Sequence, residues 1–322
     1  MGPPIGDTRH TPALAVYDGG NRQRDCSSGE ASPRVARSPP QSEPMTHPML
    51  SFGSILLCAP FTSRRFASHF QDRDLHVGRG IFEEFTRAEG GSLTWDERHP
   101  ALLESLDALK DRRFDPARVH SLIRAFYERT DDFEISFEIE WNPWLQPAGI
   151  VYSEFVARLV DQLRVPPFNT TAPRQMKCAY ALIDLDRDGT TDFRGWVRSM
   201  ADDGTLFYAG AIYSYVACEP SGSTSYLCVA FPLPGMNLAS VLKPRNWERT
   251  GFAMSTVAPE ARDAGTYLIF PGPSRFSMIP GLGLHEHFEF RVVNDSWVEC
   301  RHIQSWLGIR AFTMTYRLEP KR

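Results

Sequence analysis

The sequence predicts an α+β fold in which N-terminal helices pack on a large curved antiparallel β-sheet or partial barrel. Three observations carry that expectation. Residues 133–141 alternate apolar and polar without a break. The segments around residues 115–126 and 148–164 carry apolar side chains at helical spacing. Beyond residue 170, short β-rich runs follow one another, separated by Gly, Pro, Asn, Asp and Ser, as in antiparallel meanders.

The helical part is expected over residues 64–165. Asp115 before Pro116 has the form of a helix start, a capping carboxylate followed by a ring already fixed at helical φ. Val119, Leu122, Ile123 and Phe126 then fall on one stripe. A second helix is expected from Ala148 to Arg164, with Ile150, Val151, Phe155, Leu159 and Leu163 on its buried side and Pro166-Pro167 as its stop. Between the two, Phe133, Ile135, Phe137, Ile139 and Trp141 share one face of a strand. Glu134, Glu138 and Glu140 lie on the other, where a solvated face explains three glutamates better than acid–base chemistry does.

The β-rich part is expected over residues 170–322, with strands near 176–185, 190–200, 204–217, 224–232, 236–242, 248–257, 265–270, 275–280, 284–293, 296–306 and 309–318. So many successive strands must curl or close, because a long flat sheet leaves its edges unpaired. Residues 49–322 thus read as a single domain. Residues 1–48, rich in Pro, Gly, Ser and Arg, read as a disordered tail, with Met45 and Met49 as alternative starts.

A net charge of −4 and a pI near 6.2 argue against a nucleic-acid partner, whose affinity rests on neutralising phosphates. No run of about 18 apolar residues suggests a membrane-spanning helix. The stretch Met49–Phe61 has the look of a short secretion signal but lacks basic residues just ahead of it. The six cysteines form no CxxC pair and suit neither zinc nor a disulfide scaffold. These features together place the protein in the cytoplasm as an expectation.

One stretch has the spacing of a hard-cation site. Asp184, Asp186 and Asp188 alternate, Gly189 bends the chain, and Asp192 follows. Such a turn gathers carboxylates for an ion that takes six to eight oxygens. It is not an EF-hand, because Gly195 stands where the bidentate glutamate belongs and the flanks are strand-like. Over these nine residues the pattern resembles the calcium loops of integrin-type propeller repeats. That resemblance implies Asp184, Asp186, Asp188 and Asp192 as side-chain ligands of Ca²⁺, with the Thr190 carbonyl as a fifth. The alternative is a plain hairpin turn built from residues that turns favour.

On the strand Leu284–Arg291, His285, His287, Glu289 and Arg291 share a face, a half-site for a transition metal that His302 on a neighbouring strand would complete if the register allowed. The same face would serve as hydrogen-bonding groups if it pointed into a barrel. Phe207, Tyr208, Tyr213, Tyr215 and Phe231 are the candidates for an aromatic pocket wall. Nucleophile-elbow, phosphate-loop and dinucleotide motifs are absent from the sequence.

Phe126-Tyr-Glu-Arg-Thr130, the helix ending before Val165-Pro-Pro167, Leu206-Phe-Tyr-Ala-Gly210, Val229-Ala-Phe-Pro-Leu-Pro234 and Phe312-Thr-Met-Thr-Tyr-Arg-Leu318 together resemble a bacterial family of unknown function, over residues 79–318. The resemblance implies no activity, cofactor or catalytic residue. The sequence therefore leads to a non-enzymatic protein that binds a small apolar molecule in a curved sheet. The alternatives are a metal-dependent enzyme using His285, His287 and Glu289, and an interaction module with a Ca²⁺-stabilised hairpin.

Overall fold

Strand β2, Phe133–Trp141, alternates as its sequence predicts: Phe133, Ile135, Phe137, Ile139 and Trp141 are buried, and Glu134, Glu138 and Glu140 are exposed. In the computed structural model, residues 77–95, 101–219, 222–270, 277–281 and 283–322 are described. The expected tail at 1–48 lies outside them, as do the start of the helical part and Met49–Phe61.

The strands follow in chain order: β1 Ser92–Trp95, β2, β3 Arg174–Asp184, β4 Phe193–Met200, β5 Leu206–Glu219, β6 Gly222–Leu233 and β7 Met236–Trp247. They continue with β8 Gly251–Ser255, β9 Gly265–Phe270, β10 Ser277–Pro280, β11 Leu284–Val293, β12 Trp297–Trp306 and β13 Ile309–Pro320. All pairings among them are antiparallel. The sheet does more than curve: it closes. From β2 through β8 each strand pairs with the next, β8 pairs β11, and β11 through β13 lead back to β2, giving a ten-stranded barrel. The reason is the edge rule, since closure leaves no unpaired edge in the ring. β9 and β10 extend outward from β7, and β1 pairs with β3.

Helices are few and short among the described residues. Helix α1, Ile81–Glu89, lays Phe82 against Gly195 of β4, where an added Cβ would sit 2.8 Å from the ring. The expected helix from Asp115 is interrupted. Asp115 caps only a 3-10 turn, Pro116–Arg118, and α2 starts afresh at Ser121, with His120 Nδ1 accepting from the Leu122 N–H, and runs to Glu128. Phe126 and Tyr127 of α2 meet Phe133, Phe252 and Phe290 edge-on or tilted and fill one end of the barrel.

At the other end lies α3, Gln146–Val151 continued by a π-helical turn, Tyr152–Ala157, and by Arg158–Val160. Its packing reverses the expectation. Gly149, Ser153 and Ala157 are buried, whereas Val151 is 57%, Phe155 71% and Leu159 61% exposed. The indole of Trp141 occupies the space where a side chain on Gly149 would go, so the small residues form the only face that can approach the barrel.

Side chains of the strands sort into two cores. Those pointing inward form one with α2, and include Phe137, Trp196, Tyr208, Phe231, Phe252, Phe290 and Tyr316. Those pointing outward from β3 to β7 form a second with α1 and β9, including Ile183, Phe193, Tyr213, Tyr215 and Val241.

Candidate functional site

Cross-strand register fixes which side chains meet inside the ring. Phe288 stands opposite His302, Glu286 opposite Gln304 and Phe290 opposite Cys300, and His302 is in turn opposite Met314. Since opposite residues share a face, the buried Phe290, Cys300 and Met314 place Glu286, Phe288, His302 and Gln304 inside. These four, with Val229 and Leu238 of β6 and β7, remain half-buried rather than sealed. They line the α3 end of the lumen, whereas the α2 end is filled by rings.

The interior also holds charge. Arg198 of β4 is 5% exposed. Its guanidinium lies over the rings of Trp196 and Tyr316, at 4.6 and 4.7 Å from their centroids, with Tyr208 at 5.3 Å and Phe207 at 5.6 Å. Burial opposes its charge; the Tyr208 and Tyr316 hydroxyls and the Cys178 thiol facing it outweigh that opposition and hold its pKa above the ordinary value. Burial pushes the Glu286 carboxyl up to about 7, with the Ser240 hydroxyl working the other way. Burial, with Arg198 and His287 adding to it, pulls His302 down to about 3, so that it is a neutral imidazole stacked on Phe288.

The aromatic wall expected from the sequence divides. Phe207, Tyr208 and Phe231 belong to the inner core, and Tyr213 and Tyr215 to the outer one. Phe207 and Tyr208, though consecutive, are both inside because the β4–β5 register shifts at Arg198/Ser199. The His285 and His287 face points outward, opposite Ser305 and Ile303. Its Glu289 accepts from Arg301 at 3.1 Å and meets His287 Nε2 at 3.2 Å. His302 lies on the opposite face and does not complete that half-site.

Asp184, Asp186 and Asp188 bring carboxylate oxygens within 4.8 Å of one another, the one such grouping of three metal-ligating residues among the described residues. Their oxygens accept from the turn's own amides: Asp184 from Arg187 and Gly189, Asp186 from Asp188, and Asp188 from Thr190. Asp192 accepts from the Leu185 N–H at 2.6 Å, and burial followed by the neighbouring aspartates lifts it to about 6.

Arg198 and Glu286 were not among the sequence candidates. Their signal was present: in Arg194-Gly-Trp-Val-Arg-Ser-Met200, Arg198 alternates with Trp196 and Met200, and Glu286 alternates with Leu284, Phe288 and Phe290. A charged residue on the apolar face of a strand is the anomaly that marks an interior polar site.

The chain is similar to the uncharacterized membrane protein YndJ of Bacillus subtilis (strain 168), with 27% identity over 246 residues, 74% of this chain and 41% of that protein. The expected likeness to a bacterial protein of unknown function is thus met. The chain spans about two fifths of that relative's length. No protein-family model and no solved structure matches it.

The relative's name overturns the cytoplasmic expectation. That expectation rested on the lack of an apolar helical span. No helix among the described residues is long and apolar enough to cross a membrane. Yet helical spans are one route to a membrane among several, and more than half of the relative lies beyond the matched part.

Proposed function

We propose that the barrel is a non-enzymatic binding module that holds a small, largely apolar molecule in its lumen and works at a membrane surface. The observation that carries the reading is the set of inward-facing side chains left half-buried at the α3 end, Phe288, His302, Glu286, Gln304, Val229 and Leu238. Apolar walls with a few convergent polar groups are the usual make-up of a ligand site.

Two further features support the membrane part. Exposed large apolar side chains occur just before and along α3, with Trp144 at 90% exposure and Phe155 and Leu159 also exposed, and Leu307 on the β12–β13 turn is exposed as well. The relative is a membrane protein by name. Attachment to a surface fits better than spanning, because the outer wall of β2, β11, β12 and β13 carries Glu138, Glu140, Glu289, Arg291, Glu299, Arg301 and Arg317. A spanning barrel turns an apolar band outward and polar groups inward.

The test is titration of the purified protein with a neutral fluorescent naphthylamine probe, together with native mass spectrometry for retained lipid. Saturable fluorescence gain is the expected result. A flat titration with no retained molecule would sink the reading.

A second reading is that the acidic turn binds Ca²⁺, favoured by the convergence of Asp184, Asp186 and Asp188. Binding at a hundredfold excess over Kd would contribute about 2.7 kcal/mol and raise the unfolding temperature; an unmoved transition in Ca²⁺ against EDTA would end it.

A further inference from the structure

The lumen contains a cation without a counter-ion. Arg198 forms no ion pair among the described residues; Nη2 donates to the Met176 sulfur at 2.8 Å and Nη1 to the Tyr208 hydroxyl at 3.4 Å, and the Tyr316 hydroxyl also faces the guanidinium. A guanidinium has five N–H donors and is charged at every physiological pH. Here one of them, Nε–H, has no acceptor at all, and the others meet only neutral groups, a thioether and the Tyr208 and Tyr316 phenols. The neighbouring Trp196, 8% exposed and on the same face of β4, also has an Nε1–H without a partner.

Cation–π contact recovers only part of the cost of burying such a charge. It supplies no acceptor oxygen. The desolvation of an unpaired ion costs more than that, and buried donors left unmade add to it. The other ionisable groups that face the lumen do not neutralise Arg198. His302 is a neutral imidazole, Arg194 is a second cation on the same face of β4, and Glu286 sits beside Ser240 of β7.

We propose that Arg198 and Trp196 receive the anionic head of an amphiphile whose apolar chain fills the lumen, so that the ligand class is a long-chain carboxylate. The inference rests on the binding-module reading and adds the head group to it. A carboxylate supplies two oxygens with lone pairs in one plane, which suits a guanidinium fork with an indole N–H beside it. The aromatic rings around the guanidinium hold it fixed, so little freedom is lost when the head group arrives.

The experiment compares palmitic acid with the alcohol of the same chain length as competitors of the neutral naphthylamine probe on the full chain. The two differ only at the head. The acid is expected to bind at least about tenfold more tightly, a modest demand for a charge-assisted pair in a water-poor site. Arg198→Met, which keeps the length and removes the charge, is expected to abolish the preference, so that acid and alcohol compete equally on that variant. Trp196→Phe removes the indole N–H with its five-membered ring while keeping an aromatic face, and is expected to remove part of the preference. It provides a second variant if Arg198→Met does not fold.

Equal displacement by acid and alcohol in the unaltered protein would overturn the head-group assignment and leave the apolar-lumen reading standing. Probe binding absent altogether would overturn both.

Discussion

His302 lies flat on Phe288, the ring centroids 4.1 Å apart and the planes 12° from parallel. The stack lies inside the barrel, where burial first, and then Arg198 and His287, keep the imidazole neutral. With a native pKa near 3 against 6.5 when unfolded, the unfolded chain takes up the proton first. Stability is therefore lost as pH falls below about 6.5. His302→Gln should flatten the acid limb of urea midpoints measured from about pH 4 to 6.

Glu286 works with the opposite sign. Its native pKa of about 7 exceeds the ordinary 4.5, so the folded protein holds the proton more tightly and loses stability as pH rises from about 4.5 to 7. Glu286→Gln should raise the unfolding free energy at about pH 8, by on the order of 1–3 kcal/mol, and leave it nearly unchanged at about pH 4, below the unfolded-state value. Equal effects at both pH values would show that the carboxyl is not held neutral in the lumen.

Lys243 and Asp111 form an ion pair in which both side chains are nearly inaccessible, and Asp111 also accepts from the Ser225 and Phe114 amides. Asp111→Ala takes the carboxylate away from a buried ammonium and from two amides and should cost about 3–5 kcal/mol by urea unfolding. Glu289→Ala, on the outer wall, removes its pairing with Arg301 and should cost less than about 1 kcal/mol.

Gly149 and Phe155 make a paired test of α3. Gly149→Val would push into the Trp141 indole and should cost about 1–3 kcal/mol or more. Phe155→Ser alters a side chain that is 71% exposed and should leave the unfolding free energy within about 0.5 kcal/mol. Combined with Leu159→Ser it should cut co-sedimentation with anionic liposomes severalfold. Unchanged co-sedimentation would place the membrane contact elsewhere.

Much of the barrel wall was legible because period two is a local property. Phe133 to Trp141 and Phe312 to Leu318 announce their faces within a few residues. Closure was not legible, because it depends on β8 meeting both β7 and β11, a fact of register rather than of sequence. The same holds for the outward direction of His285 and His287: alternation says that they share a face, and only the pairing with β12 says which. The α3 face was misjudged for a different reason. Apolar spacing marks a stripe, but here close approach to Trp141 selects the small residues and leaves Phe155 and Leu159 outside.

The pairing of β2 with β13 sets Phe133 opposite Pro320, so the first and last strands of the ring are neighbours. Nearly the whole β-rich sequence must therefore exist before the ring can shut. Hairpins such as β5–β6 and β12–β13 are local and can form early, while the final seam brings together residues of very large sequence separation and bears the greatest loop-closure entropy. During synthesis the inner walls stay open to solvent until β13 arrives, and losing that one strand would reopen the ring, leaving β2 and β12 each with an unpaired edge.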